Sequence, residues 1–425
     1  MRKLILLLVA VILALVLVTP RVVGGLAQRE VNDYVAGFNA EAATRFGPQI
    51  TEHSYERGWF DARSSQRIAL NAGSDEAPVF LIIDNQVEHG LILNGSGFGL
   101  AEVHSGFSLV DEYERVELPL TAVTRIHLNG SASSLVSGKA IDHRFDESGS
   151  RLQWDGGELR FDIGSDGTSI AANGNVGRLQ FVQEENRFTF GPMRFAGDQK
   201  LSEHQFWLGA SSMSVDELGL EDPAAGSFQV RKFAFESDVR LDRERLTYEL
   251  VVDADQIATP GFDGGSLHID LELTDFHAET AARLRDKYAK QTDPVAAPEP
   301  GWAEIEADLL ALLAHGGKLD IEKIFFATGS GRLDASAQMV IDQDVGAPVL
   351  TELLMALRGQ LDIVVSKTLL ATAAEHNPQL GQATTMLYRA GYLLEENEDF
   401  VLKAAYSGGL LTINGLPLPV PLPMQ

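Results

Sequence analysis

The sequence predicts an α+β protein: a predominantly long antiparallel β-sheet with amphipathic helices packed on it, plus one N-terminal transmembrane helix. Three observations predict this. From about residue 50 to 275, apolar and polar residues alternate with period two. Leu159, Phe161 and Ile163 alternate with Glu158, Arg160 and Asp162, and Leu267, Ile269, Leu271 and Leu273 with Ser266, His268, Asp270 and Glu272. That is the pattern of strands with one apolar and one polar face. Asn-Gly stands at 94–95, 129–130, 173–174 and 414–415, and Asp-Gly at 155–156, 166–167 and 263–264. Only residues tolerant of positive φ suit a type I′ hairpin turn, so these pairs predict hairpins. Helical stretches of crossover length are missing between the strands, which argues against parallel βαβ units.

Composition bounds the class. The 425 residues include 34 Lys+Arg and 60 Asp+Glu, a net charge of −26, and 45% are hydrophobic. Such an apolar fraction excludes a disordered chain. The acidity argues against a nucleic-acid partner, because phosphate repels it. Cysteine is absent. That removes disulfides, cysteine-zinc sites, iron–sulfur clusters, a thiol nucleophile and lipidation of a cysteine after a signal.

Arg2 and Lys3 precede an uncharged run from Leu4 to Pro20. A basic start before such a run is a secretory signal or a signal anchor, and the run reaches the ~17-residue lower bound for spanning. Basic residues at the start favour an N-inside orientation with the remainder translocated. Gly25-Leu26-Ala27 offers small residues for cleavage but lies well past the run, which favours retention. The expected organisation is an anchor at 1–23, a β-rich region at 24–291, a Pro-rich linker at 292–301 and an α+β region at 302–425. The expected partner of residues 4–20 is a membrane.

Helical spacing recurs outside the strands. A helix is predicted over Glu30–Phe46, with Val31, Tyr34, Val35 and Phe38 on one face and Gly47-Pro48 as its stop. Others are predicted at 276–291, 302–315, 350–358 and 379–394, with strands at 318–327, 331–342 and 359–365 and a hairpin at 399–414. In the helix at 379–394, Leu380, Ala383, Leu387, Ala390 and Leu394 form a stripe that could pack on the sheet or on another helix, the sheet being the commoner answer. Leu416 to Pro423 alternates Leu or Val with Pro and predicts polyproline II. Phe228 and Val230 are out of phase with Phe233 and Phe235, which predicts a bulge or a change of strand partner.

No catalytic signature stands out. The ten histidines are scattered without helical i, i+4 or strand His-x-His spacing. Gly95, Gly97 and Gly99 fail a dinucleotide fingerprint, because Leu100 stands at the third glycine position, and they read as structural. Asp253 and Asp255 point to one side of a strand end, where a divalent cation is the alternative to a solvated surface, the commoner case; Asp111-Glu112 and Glu395-Glu396 read as solvated loops. No catalytic residue, cofactor or metal site is expected. The apolar strand face is either ordinary core or a groove for an acyl chain or an apolar polypeptide. Leu159, Phe161, Phe188, Phe190, Leu267, Ile269 and Leu271 are its candidate residues.

The order of several short motifs carries a resemblance. These are Val31-Asn32-Asp33-Tyr34, Tyr55-Glu56-Arg57-Gly58-Trp59-Phe60, Val87-Glu88-His89-Gly90, Tyr388-Arg389-Ala390-Gly391-Tyr392-Leu393, and Tyr406 through Asn414-Gly415. Over nearly the whole chain this resembles the YdgA-like proteins of Gram-negative bacteria, a family of unknown function (DUF945). Leu91 follows His89-Gly90 where related members usually carry proline. The resemblance implies an inner-membrane signal anchor with a periplasmic body, and it supplies no catalytic residues. The expected function is non-catalytic: binding an apolar ligand such as lipid in envelope maintenance. A scaffold for envelope assembly, working with a protein partner or as a homo-oligomer, is the alternative, and a carboxylate hydrolase comes third.

Overall fold

The computed structural model describes residues 49–69, 80–93, 97–110, 115–145, 149–223, 226–259, 262–289, 302–341 and 350–419. The expected membrane segment, the helix over Glu30–Phe46, Gly95, Asp111-Glu112 and the Pro-rich linker lie outside these residues. Among the described residues, no helix is long and apolar enough to cross a membrane. The chain divides into two compact units. The first holds the described residues up to 143 together with 153–177, and the second holds 144–152, 178–289 and the described residues from 302 onward.

The first unit is built from β1 (Gln49–Arg57), β2 (Asp61–Ala69), β3 (Phe80–His89), the small hairpin β4 (Ile92–Leu93) and β5 (Gly97–Phe98), β6 (Ala101–Val110), β7 (Arg115–Ile126) and β8 (Ala132–Gly138). Two short strands, β9 (Ile141–Arg144) and β10 (Arg151–Trp154), straddle the division between the units, and β11 (Gly157–Ile163) and β12 (Ser169–Val176) complete the first. Pairing runs β1-β2-β3-β6-β7-β8-β11-β12, antiparallel at every step. Consecutive strands joined by short turns pair this way because the chain reverses before it can cross over. Gly99 explains the β4–β5 excursion: a Cβ there would lie 2.6 Å from Leu93 Cδ1 and 3.2 Å from the Ile126 carbonyl. Its missing side chain lets Leu93 bury under the hairpin, so Gly97 (φ +91) and Gly99 serve conformation and packing.

The second unit opens with β13 (Leu179–Gln183), β14 (Asn186–Phe190) and β15 (Met193–Leu201). Its long strands are β16 (Trp207–Asp222), β17 (Gly226–Asp242), β18 (Arg245–Thr259) and β19 (Phe262–His277). Then come α1 (Ala278–Ala289), α2 (Trp302–Leu313), β20 (Gly317–Thr328), β21 (Gly331–Ile341), α3 (Leu350–Ala356), β22 (Leu357–Ser366), α4 (Lys367–His376) and α5 (Pro378–Arg389). The chain closes with β23 (Leu394–Glu396), β24 (Asp399–Ser407), β25 (Leu410–Ile413) and β26 (Leu416–Pro419). From β16 the antiparallel order is β17-β18-β19-β20-β21-β22-β24-β25-β26.

Several local expectations are corrected. Asn173-Gly174 lies inside β12 and not at a turn, because a Cβ on Gly174 would meet the Glu158 carbonyl at 2.6 Å and the space is used for strand approach. Asp263-Gly264 lies inside β19, where Gly264 (φ +75) sits in a stretch of shifted register against β18. The phase break at Phe228–Phe235 is neither a partner change nor an inserted residue. β17 keeps its partners and its register, and Lys232 takes a left-handed conformation (φ 48). Leu416–Pro419 forms an edge strand where polyproline II was expected. Prolines at alternate positions can leave their missing N–H groups on the unpaired side.

The helix predicted over 379–394 is corrected at its end and in the burial of its stripe. α5 starts at Asn377, whose side chain accepts from the Gln379 N–H, with Pro378 in the first turn. It ends in a Schellman arrangement at Gly391, with Gly391 N–H to the Tyr388 carbonyl at 3.1 Å and Tyr392 N–H to the Leu387 carbonyl at 2.9 Å. Leu394 therefore belongs to β23. Leu380, Ala383, Leu387 and Ala390 are exposed, and α5 leans chiefly on α4.

Candidate functional site

Residues directly opposite in antiparallel strands share a face, so the register defines side-chain rows. In the second unit one row runs Phe195, Met213, Phe235, Val252, Ile269, Ile324, Ala335, Ile363 and Leu402, from β15 to β24 without a polar residue. The next row starts polar, with Ser211 and Ser237 hydrogen-bonded at 2.8 Å, and is apolar from Leu250 through Leu271, Ile321, Ala337, Leu361 and Ala404 to Ile413 and Leu416. On the other side of the first row, Leu267 leads through Phe326, Leu333 and Val365 to Phe400.

Leu267, Ile269 and Leu271 are half-buried. The helices meet this sheet at β19, β21 and β22. At one end, Ala314, Ile341 and Leu353 form a small core that joins the α2 terminus and α3 to the sheet, and the Tyr406 hydroxyl donates to the Leu354 carbonyl at 3.0 Å. At the other end, Tyr388 of α5 meets Phe400 edge-on at 5.9 Å. Lys367 beside it bonds Glu395 and the Asn397 carbonyl. That Lys367 contact, with a second hydrogen bond from Tyr388, holds the Glu395 carboxyl below the usual glutamate range.

The register separates the other candidates. Phe188 and Phe190 on β14 stand opposite Leu220 and Leu218, which continue to Phe228 and Val230, beyond the Lys232 irregularity. Leu159 and Phe161 belong to the first unit. Leu159 faces Val136 and Gly174, and Phe161 faces Ser134 and Ala172. Only Leu267, Ile269 and Leu271 therefore lie in the continuous rows.

The opposite face of the second unit is acidic. Glu249, Glu272 and Asp320 are directly opposite in turn, and Arg240 pairs with Glu249. Lys318 Nζ lies 2.7 Å from Asp320. That hydrogen bond holds the Asp320 carboxyl below its ordinary value against the opposing effect of burial, with the Gln338 amide adding to it. Asp253 accepts from His268 at 2.7 Å, and Asp255 pairs with Lys232 at 2.6 Å. Side chains of the chain itself, His268 and Lys232, thus partner the Asp253/Asp255 pair, and no metal-holding cluster occurs among the described residues. The fold also brings His277 and His315 into a stack 4.5 Å apart, which their sequence separation concealed.

Sequence reasoning missed a polar groove of about 740 Å³ on the first unit, lined by residues including Glu56, Arg63, Asp84, Gln86, His104 and Thr121. Asp84 accepts from Ser65 at 2.7 Å and from Arg115 at 2.8 Å, and Glu102 lies 2.9 Å from His104. Its residues come from five strands, so only the register could have revealed it.

Neither a curated protein nor a solved structure matches the chain. A family model, described as a bacterial protein of unknown function, matches residues 1–421, and the chain therefore belongs to the DUF945 family.

Proposed function

We propose that this protein is a non-catalytic carrier or holder of an apolar chain, such as the acyl chain of a lipid. In this reading residues 4–20 anchor it in the inner membrane of a Gram-negative cell, and the body works in the periplasm. The observation that carries the reading is the apolar row through Ile269, unbroken from β15 to β24, flanked from β19 to β24 by the apolar rows through Leu267 and Leu271. A sheet face of this kind is normally sealed by a helix layer. Here Leu267, Ile269 and Leu271 remain half-buried, while the helices meet the sheet at its strand ends. An acyl chain lying across the strands would complete their burial, at about 0.8 kcal/mol for each methylene removed from water. The scaffold alternative relies on open sheet edges, and the prolines of β26 blunt one of them.

Native mass spectrometry of the full chain, extracted from membranes in mild detergent, tests the reading. A lipid-mass adduct is expected on the wild-type chain, and Ile269→Asp should lose it. Ile269→Thr, which keeps the β-branched shape, should weaken it without unfolding the sheet. A chain that stays adduct-free across extractions would sink the proposal.

A further inference from the structure

We propose that one end of the first unit's sheet is a membrane-contact surface, on which turn tips insert into the interface of a lipid bilayer. Five large apolar side chains are exposed on three separate connections: Trp59 (49%), Phe60 (49%), Ile92 (62%), Phe98 (71%) and Leu128 (53%). The register gathers them. Asp61 pairs with Glu88, His89 with Ala101, and Ala101 with Ile126, so the β1–β2 turn, the β4–β5 hairpin and the β7–β8 turn leave the same end of neighbouring strands. Adjacent strands lie about 4.8 Å apart, so the tips fall within roughly 15–20 Å of one another.

The tips are held by backbone hydrogen bonds. His89 N–H reaches the Phe60 carbonyl at 2.9 Å, Leu100 N–H the Ile126 carbonyl at 2.8 Å, and Gly130 N–H the His127 carbonyl at 2.9 Å. Leu93, 3% exposed, roots the hairpin, and Arg125 donates to the Phe98 carbonyl at 3.4 Å. Apolar groups are thus presented outward on supported turns. Tryptophan and phenylalanine at such tips suit the boundary between headgroups and acyl chains.

The occupant follows from the chain itself. The uncharged run Leu4–Pro20 precedes β1, and residues 21–48, with the predicted helix over 30–46 rising about 1.5 Å per residue and the rest extended, can reach roughly 60 Å. β1 spans only about 30 Å between its first residue and the Trp59 turn. The tether therefore lets the tips return to the surface that holds the anchor, and tethering raises their effective concentration there. The net charge of −26 means that apolar insertion, not charge attraction, must drive the contact, so salt should not release it. The inference rests on the proposed anchoring of residues 4–20.

The cysteine-free chain permits a direct test. The full-length protein is reconstituted into phosphatidylcholine vesicles with a nitroxide on Leu128→Cys or, as control, on Glu117→Cys, which is exposed toward the opposite end of the sheet. The expected result is a Leu128→Cys label more accessible to oxygen than to a water-soluble nickel complex, in low and high salt, with the reverse at Glu117→Cys. Ile92→Ser with Phe98→Ser should return the Leu128→Cys label to water, while the vesicles still carry the protein. A label that is water-exposed in vesicle-bound wild-type background overturns membrane contact alone. A label shielded from both reagents, with concentration-dependent spin–spin broadening, assigns the surface to a second copy and also overturns it. Failure of the chain to float with vesicles overturns both the anchoring and the contact.

Discussion

The two units solve the same problem differently. Both are antiparallel sheets, and both turn mostly apolar residues to one face. In the first unit that face contains a polar ladder, in which Asn85 Nδ2 donates to Ser64 at 3.0 Å and Ser105 donates to Asn85 Oδ1 at 2.6 Å. A second pair, Thr124 and Ser134 at 2.8 Å, lies in the row that holds Phe161. In the second unit the row through Ile269 runs from β15 to β24 with no such pair, and the row through Leu271 meets one only at its start, where Ser237, opposite Leu250, and Ser211 lie 2.8 Å apart. A face with internal hydrogen bonds is satisfied without further cover, whereas an all-apolar row gains only by removing water. The difference teaches where an apolar ligand would bring the larger gain, which is the second unit.

Breaking each face should cost differently. The largest effect is expected for Ile269→Asp, which places a charge in the middle of an apolar row. Chemical denaturation should show a loss of about 3 kcal/mol, more than any single polar-ladder change. Asn85→Ala should cost about 1–2 kcal/mol, because it leaves the buried Ser64 and its neighbour Ser105 without that amide. If Asn85→Ala cost more than Ile269→Asp, the contrast between the units would be reversed.

A smaller effect sharpens the contrast on the acidic face. The Asp320 carboxyl lies below its ordinary value and the Lys318 ammonium above its own, each chiefly through their mutual hydrogen bond. The stabilising contribution of Asp320 is therefore present above its unfolded pKa and is lost as pH falls through the lowered folded value. That of Lys318 is complete below its unfolded pKa and is lost as pH rises through the raised folded value. Lys318→Met should flatten both limbs of a plot of thermal midpoint against pH. An unchanged acid limb would show that the pair contributes nothing there.

The smallest effect is expected at Tyr55. Its hydroxyl is buried without a hydrogen-bond partner, and burial raises its pKa. Tyr55→Phe should leave stability unchanged or raise it by up to about 1 kcal/mol. Phenol absorbance in the wild-type chain should include one group that titrates above the usual tyrosine range. A marked loss of stability would mean that the hydroxyl does useful bonding.

Strand periodicity made most of the fold legible, and so did several turn pairs. Asn414 (φ 47) and Gly415 (φ +79) form a hairpin turn as expected. Helix α4 escaped notice although Leu369, Leu370, Ala373 and Ala374 carry helical spacing. Leu159 and Phe161 look the same in sequence as Leu267 and Ile269, because alternation reports a strand's own two faces and not its neighbours. Whether Phe161 meets Ser134 or Ile269 meets Ile324 depends on register, which joins residues far apart along the chain. The exposed stripe of α5 was unreadable for the same reason: an apolar face calls for cover, but the chain does not name what supplies it.

Photo-crosslinking tests the central claim most directly. A phospholipid with a diazirine near the end of one acyl chain is incorporated into membranes that contain the full-length protein, irradiated, and the labelled peptides are mapped. Label is predicted on the strands holding Leu267, Ile269 and Leu271 and on their row partners Ile324 and Ile363. Label confined to residues 4–20 and the turn tips around Trp59 and Phe98, with none on those strands, would contradict it.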